Sequence, residues 1–477
     1  MPVSATDPCD LSAVEARRLI GRRKLSPVEL MASCLKRIAK TNGVSNAIVA
    51  IDEALAKKQA KLAEKQMMRG DALGLLHGLP TAIKDLHPVA GLRSTWGSLI
   101  FKDHVPEADD PMVANLRGAG ANIFAKTNVP EFGAGANTRN RVYGPTTNPF
   151  DANLTPAGSS GGAAAALALG QMPIATGSDY GGSLRTPAAF CGIVGFRPSP
   201  GIVPSPDRMA GLLPWGVTGP MGRTVEDAYL LLQAQLDVDA ADPYSSSDAL
   251  DFPDSLTPAD LSAIRVAFSP DLGVCPIDNE ISRLFSSRAK TLASHFGHTE
   301  EGAPDFSGVH EIFEVHRGLA FVTGHQEKLA KHKKLLDRNV IDNTERGLKL
   351  TVQEIGRGFV EQHTLYKRVL NYFDDVDVVI CPAASVSPFP HSQLFVEQIN
   401  GETMPTYMRW LSIAYAPTMA LCCSAVVPCG VDHKGMPFGL QIFGPKGSDL
   451  QVLEVALALE QAMVGGDMAR PVPKLPR

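Results

Sequence analysis

The stretches Pro156-Ala157-Gly158-Ser159-Ser160-Gly161-Gly162 and Gly177-Ser178-Asp179-Tyr180-Gly181-Gly182-Ser183-Leu184-Arg185 put small side chains where a packed core would want bulk. Between them, residues 163–169 are rich in alanine and leucine and read as a helix opened by the glycine-serine run. Pro173-Ile174-Ala175-Thr176 and Gly192-Ile193-Val194-Gly195-Phe196 read as short buried strands. The same texture, apolar strands alternating with glycine-rich loops and small-residue helices, extends from residue 78 to about 235. That alternation predicts an α/β architecture.

Three segments carry candidate chemistry. In Gly78-Leu79-Pro80-Thr81-Ala82-Ile83-Lys84-Asp85, the lysine ends an apolar strand. Burial disfavours an ammonium and lowers its pKa, which turns lysine into a general base; a snorkelling lysine paired with Asp85 is the other reading. Residues 158–162 formally match G-x-S-x-G, which suggests a nucleophile elbow at Ser160, an anion cradle at a helix start, or a plain turn that caps a helix. No distinctive histidine motif follows among the 12 histidines, and the Lys-Ser/Thr of a phosphate loop is missing. Asp179-Tyr180-Gly181-Gly182-Ser183 offers successive backbone N–H groups on a chain that two glycines let bend. An oxyanion hole needs such donors, with Ser183 as the attacking group beneath them; a bare turn is the alternative.

Together and in this order, these segments resemble the amidase signature family of serine hydrolases. The resemblance includes Lys126-Thr127-Asn128 with Glu131-Phe132, Gly144-Pro145 with Asn148-Pro149, and Thr186-Pro187-Ala188-Ala189-Phe190-Cys191-Gly192. It continues in Gly219-Pro220-Met221 and, more thinly, in Val427-Pro428-Cys429-Gly430 and Gly439-Leu440-Gln441-Ile442-Phe443-Gly444-Pro445. It implies one α/β/α sandwich around a large mixed β-sheet, with N-terminal helices and a helical covering region. Carried over residue by residue, it makes Ser183 the nucleophile, Ser159 a bridging serine held by a cis peptide, and Lys84 the base. The oxyanion would be held by the N–H groups of Tyr180, Gly181, Gly182 and Ser183, and Gly133 and Ser159 would line the substrate site. Tyr180 stands where relatives commonly carry Thr or Asn, Ala157 replaces a frequent Gly, and Ala163 a frequent Ser. None of these removes a triad atom.

The implied activity is hydrolysis of a carboxylic amide through an acyl-enzyme, with esters and carbamates open to the same path. Few charged residues lie in the motif segments, which favours a neutral aryl or acyl amide. The alternative is the glutaminase subunit of a tRNA-dependent amidotransferase; against it, Thr186 and Leu86 stand where those members typically have Gln and Asn. Trp215, Trp410 and Pro388-Phe389-Pro390 are candidates for an apolar rim.

The rest of the chain divides into residues 1–70, an N-terminal helical layer; 71–236, the core with the triad; 237–375, a helical covering region; and 376–477, which returns to the core sheet. Ser12 with Glu15, and Ser26 with Glu29 and Pro27, announce two helices. Residues 245–247 read as a surface linker, 264–268 as a strand, 278–296 as an amphipathic helix and 412–431 as buried strands and turns. A formal net charge of −5, with 44% hydrophobic and 20% charged residues over 477 positions, fits a globular chain and offers no field for nucleic acid or anionic lipid. Eight cysteines without a C-x-x-C pair point to a reducing compartment, and the N-terminus lacks the pattern of a signal peptide. The expectation is a cytoplasmic enzyme for a small-molecule amide, with no cofactor, metal, membrane or nucleic-acid partner; a homodimer stays open.

Overall fold

The structure, a computed structural model, describes residues 7–245, 247 and 251–475. Residues 1–6, 246, 248–250 and 476–477, which include part of the expected linker and most of the N-terminal stretch read for a signal peptide, lie outside the described residues.

The strands in chain order are β1 (Ile48–Ile51), β2 (Pro80–Lys84), β3 (Asn122–Thr127), β4 (Arg139–Asn140), β5 (Gly144–Pro145), β6 (Ile174–Asp179), β7 (Val194–Arg197) and β8 (Val217–Gly222). After them come β9 (Arg265–Phe268), β10 (His298–Glu301), β11 (Val378–Pro382), β12 (Gln398–Ile399), β13 (Glu402–Thr403), β14 (Cys423–Val431) and β15 (Pro437–Gly444). Eleven of them form one mixed sheet in the order β1-β3-β2-β6-β8-β7-β14-β15-β11-β9-β10, while β4–β5 and β12–β13 are separate two-stranded pairs. The centre of the sheet is buried on both faces, so β2, β3, β8, β11 and β15 are buried at every residue.

Helices cover both faces, giving the expected α/β/α sandwich. N-terminal α1 (Ala13–Gly21), α2 (Pro27–Ser45) and α3 (Glu53–Arg69) form an outer layer; α4 (Pro111–Gly118), α5 (Gly161–Ala168), α6 (Arg185–Cys191) and α7 (Val225–Gln235) alternate with the core strands. The Ser26–Glu29 capping box is made in full with Pro27 in the first turn. At α1 the Ser12 hydroxyl accepts from the Glu15 N–H, but the Glu15 carboxylate turns to Arg18. Helix α5, alanine-rich and buried along its whole length, packs on β6 and α6. Small side chains allow that close approach of helix to sheet.

The remaining helices are α8 (Asn279–Leu292), α9 (Val309–His332), α10 (Arg338–Gly347), α11 (Val352–Tyr372), α12 (Ser412–Met419) and α13 (Asp449–Ala462). Two expectations need correcting. Residues 237–375 are mostly helical and give the sheet β9, at the strand expected over 264–268 and parallel to β11, but they also supply β10, an unexpected strand that extends the sheet beyond β9. All of β10 is exposed, so it lacks the apolar alternation that marks a strand. Residues 412–419, expected as strand and turn, form α12. That helix is buried all round and therefore shows no amphipathic period; its Ile413 and Ala414 carbonyls accept from the side chains of Gln441 and Arg185.

Candidate active site

Lys84 is the last residue of β2. Parallel pairing of Thr81 with Ile174 and Ala82 with Ala175 brings it beside the end of β6, where its backbone N–H donates to Thr176 Oγ1 at 3.0 Å. Its side chain enters a nest of hydroxyls. Nζ lies 2.8 Å from Ser159 Oγ, 2.7 Å from Ser160 Oγ, 3.0 Å from Ser178 Oγ and 3.2 Å from the Ser178 carbonyl. Among the described residues no carboxylate lies within ion-pair distance of it. Complete burial pulls its pKa from the ordinary lysine value down to about 7, against a weaker opposing pull from the Asp179 charge. At neutral pH a large share of Lys84 is therefore the free amine.

The Lys84–Asp85 pair of the alternative reading does not form. Adjacent strand residues point to opposite faces, so Asp85 turns away to Lys126 at 3.3 Å and accepts from the Thr95 N–H and hydroxyl.

Ser159 and Ser160 stand immediately before α5, and the Gly158–Ser159 peptide bond is cis, as the resemblance implied. The two serines diverge. Ser159 and half-buried Ser183 line one cavity of about 240 Å³ with Tyr180, Gly133, Leu86 and Phe132, whereas Ser160 is wholly buried and does not line it. That buried position removes the elbow reading for Ser160. Gly133 sits at the cavity wall with φ +71; a Cβ there would lie 3.1 Å from Leu86 Cδ1 and 3.4 Å from Ser159 Oγ. No hydrogen bond joins Ser159 and Ser183 among the described residues, although both open onto the same space.

The turn that carries Ser183 is organised by Asp179. Its carboxylate binds Arg185 at 2.9 Å and Arg197 at 3.4 Å, and accepts from the N–H groups of Gly182 and Leu184, both at 3.0 Å. Burial favours the neutral acid there, but the two guanidiniums and these N–H groups outweigh it and hold the carboxyl well below the usual range. One consequence corrects the expected oxyanion set: the Gly182 N–H is already taken by Asp179. The N–H groups of Tyr180, Gly181 and Ser183 make no hydrogen bond among the described residues. Gly182 is required for another reason, since its φ is +111 and a Cβ would come 2.6 Å from Ala414 Cβ.

The expected apolar rim is not where the tryptophans are. Trp215 and Trp410 are 2% and 1% exposed, with Phe389 buried edge-on to Trp410 at 5.5 Å, and none of them lines the cavity. Large aromatics in an otherwise aromatic-poor chain fill core volume here. The apolar wall comes instead from Leu86, Phe132, Met209, Leu213, Val217 and Ala320. Sequence reasoning also passed over Ser178, although it directly precedes Asp179 in the quoted run. Among the described residues no group of His, Cys, Asp and Glu could hold a metal ion, and no helix is long and apolar enough to cross a membrane. All eight cysteines are unpaired and buried.

A mixed sheet of this order with a buried lysine among serines at its centre defines a class of enzyme, and comparison with known proteins gives the family. The Amidase family matches residues 29–453, and the chain belongs to it. It is an amide-hydrolysing enzyme. It is 32% identical over 453 residues to an acylamidase of Rhodococcus erythropolis, covering 94% of this chain and 95% of that one. It is 28% identical over 500 residues to a glutamyl-tRNA(Gln) amidotransferase subunit of Clostridium acetobutylicum, covering 95% and 99%. The solved structure of a bacterial aryl acylamidase of the amidase signature family superposes with a TM-score of 0.87 at 27% identity, over 95% of this chain and 96% of that one.

Proposed function

We propose that this protein hydrolyses neutral aryl or acyl amides with Ser183 as nucleophile, Ser159 as proton relay and Lys84 as base. The observation that carries this reading is a fully buried lysine without a carboxylate partner among the described residues, 2.8 Å from a serine that shares a cavity with a second, more accessible serine. A neutral amine has two N–H donors and one lone pair, so Lys84 donates to Ser160 and Ser178 and accepts the proton of Ser159. Ser159 then takes the proton of Ser183 as its oxygen bonds to the amide carbon. The oxyanion that forms is held by the N–H groups of Tyr180, Gly181 and Ser183. The proton returns by the same path to the leaving amine, the C–N bond breaks, and water attacks the acyl-Ser183 ester with the same base assistance.

The cavity wall supports a neutral acyl group. Of the charged groups that line it, Arg208 is tied to Asp242 at 2.7 Å and to the Gly216 carbonyl at 2.9 Å, Asp179 is neutralised by Arg185 and Arg197, and Asp207 is exposed to solvent. Residues 237–375 act as the covering region, with α9 contributing Ala320 to the wall. A second reading, the glutaminase subunit of a tRNA-dependent amidotransferase, draws on the similarity to such subunits along nearly the whole chain. Leu86 at the cavity wall and the buried Thr186 disfavour it.

Labelling with a fluorophosphonate tests the assignment together with a panel of anilides, aliphatic amides and glutamine. The expected outcome is modification of Ser183 and turnover of anilides by the isolated chain. Modification of Ser160, or turnover of glutamine alone and only with partner proteins, rejects it.

A further inference from the structure

Arg317 on α9 is only 7% exposed. A guanidinium keeps its charge when buried, so burial calls for a counter-ion. Several other buried cations have one: Lys126 has Asp85, Arg185 and Arg197 share Asp179, and Arg208 has Asp242, whereas Lys84 is held by hydroxyls and Arg223 by the Cys9 and Leu11 carbonyls. Among the described residues Arg317 has no carboxylate within ion-pair distance. Its Nε donates to Asn343 Oδ1 at 2.8 Å and its Nη2 to the Tyr407 hydroxyl, while Nη1 donates to no protein atom among the described residues. Four rings surround the cation, with centroids 4.7 Å (Phe321), 5.6 Å (Tyr407), 5.7 Å (Tyr180) and 5.8 Å (Phe313) away. Aromatic faces attract a cation but do not neutralise it, and they leave in-plane N–H groups free.

A cavity of about 250 Å³, separate from the one at Ser183, opens onto this side chain between α9, α10 and α11. Its apolar wall is Phe313, Leu350 and Met408. Four of the five acids at its mouth are engaged: Asp342 with Arg346 at 2.9 Å, Glu361 with Arg357 at 3.6 Å, Glu314 with Arg409 at 3.5 Å, and Glu354 in the cap of α11; the fifth, Glu311, is exposed to solvent and makes no ion pair among the described residues. The uncompensated positive charge therefore sits at the floor. The cavity also reaches the catalytic turn through a single layer of side chains. A Cβ on Gly181 would lie 3.2 Å from Met408 Cε, and Phe313 packs edge-on to Tyr180 at 6.1 Å.

We propose that this cavity binds a carboxylate, with Arg317 donating to the carboxylate oxygens and the ligand's apolar body lying on Phe313, Leu350 and Met408. Planar, forked donors suit a carboxylate, and a desolvated guanidinium gains most from one. The source is a free organic acid, such as the acid released by hydrolysis, because the cavity is separate from the one at Ser183 and a substrate held there does not reach Arg317. The inference does not rest on the triad, because binding is read without turnover.

The test titrates benzoate and its neutral isostere benzamide by calorimetry, using Ser183→Ala enzyme so that nothing is consumed. Benzoate should bind, benzamide should bind at least tenfold more weakly, and Arg317→Met in the same background should weaken benzoate at least tenfold. Arg317→Lys, which keeps the charge but loses the fork, should fall between the two. Equal binding of both probes, or benzoate binding unchanged by Arg317→Met, overturns the proposal. Should Arg317→Met fail to fold, a benzoate-soaked crystal of the wild-type enzyme decides: the carboxylate must sit on Arg317, and benzoate found only beside Ser183 overturns the proposal. Kinetics on wild-type enzyme give a further outcome. A free acid inhibits anilide hydrolysis noncompetitively. Benzoate that competes with the anilide and is insensitive to Arg317→Met sits at Ser183 and overturns the proposal.

Discussion

Lys84 and Lys126 lie one strand apart at the ends of β2 and β3, both without exposed surface, and they are chemically opposite. Lys126 meets Asp85 at 3.3 Å, Ser94 Oγ at 2.8 Å and the His87 carbonyl at 2.5 Å, so its charge is matched in place. Lys84 meets only hydroxyls and one carbonyl. Burial pulls both lysines down; for Lys126 the Asp85 charge and hydrogen bond oppose that pull at contact distance. The difference teaches that burial alone does not make a base. It makes one where the counter-ion is withheld, and a strut where it is supplied.

The largest break in this comparison is Lys84→Arg, which replaces a group that can lose its proton with one that cannot. It should cost on the order of 10⁴-fold in kcat/KM, as Ser183→Ala should, with folding retained by circular dichroism. A Lys84→Arg enzyme that keeps most of its acylation rate places the base elsewhere. Lys126→Met should instead act on stability, since it strands the Asp85 carboxylate in the core. The expected loss is about 3–5 kcal/mol, read as a lowered urea midpoint at unchanged slope.

Ser159→Ala should cost roughly 10²–10³-fold, less than loss of Ser183, because a water can stand in for a relay but not for the acylated oxygen. The pH profile sharpens the contrast further. The active form of Lys84 is deprotonated and its pKa is lowered to about 7, so kcat/KM should rise about tenfold per unit below that point and level off above it. Lys84→Ala should abolish this limb, and a profile flat from pH 5 to 9 would count against a neutral lysine. Smallest of all, Ser160→Ala removes one hydrogen bond to Nζ and should lower the rate only about fivefold.

Much of the core was legible because its elements carry local signals. Helices α2 and α5 and strands β2, β6, β7 and β9 lie within a few residues of their expected positions, marked by caps, alanine runs and apolar runs between turns. Strand β10 and helix α12 were not legible. One is an exposed edge and the other a helix buried on every side, so neither shows the periodicity that arises when one face meets the core and the other meets water. The aromatic rim was misplaced for a related reason. A tryptophan in sequence carries no mark of whether it fills volume or lines a cavity, and both candidates fill volume.

By itself the sequence determined the α/β class, the strand-end position of Lys84, and the glycine-rich turns that carry Ser159 and Ser183, the first of them opening a helix. These follow from residue types and spacings within a few positions of one another. Only the tertiary structure decided which hydroxyls meet Lys84, that Asp85 belongs to Lys126, and that Arg317 is buried without a counter-ion among the described residues. Each depends on partners from separate strands and helices: Ser159 is 75 residues from Lys84, and Asn343 is 26 from Arg317. Electrostatic character at such sites is set by what the fold brings to within about 3–4 Å and by how much water it leaves there, and neither quantity is carried by any single stretch of chain.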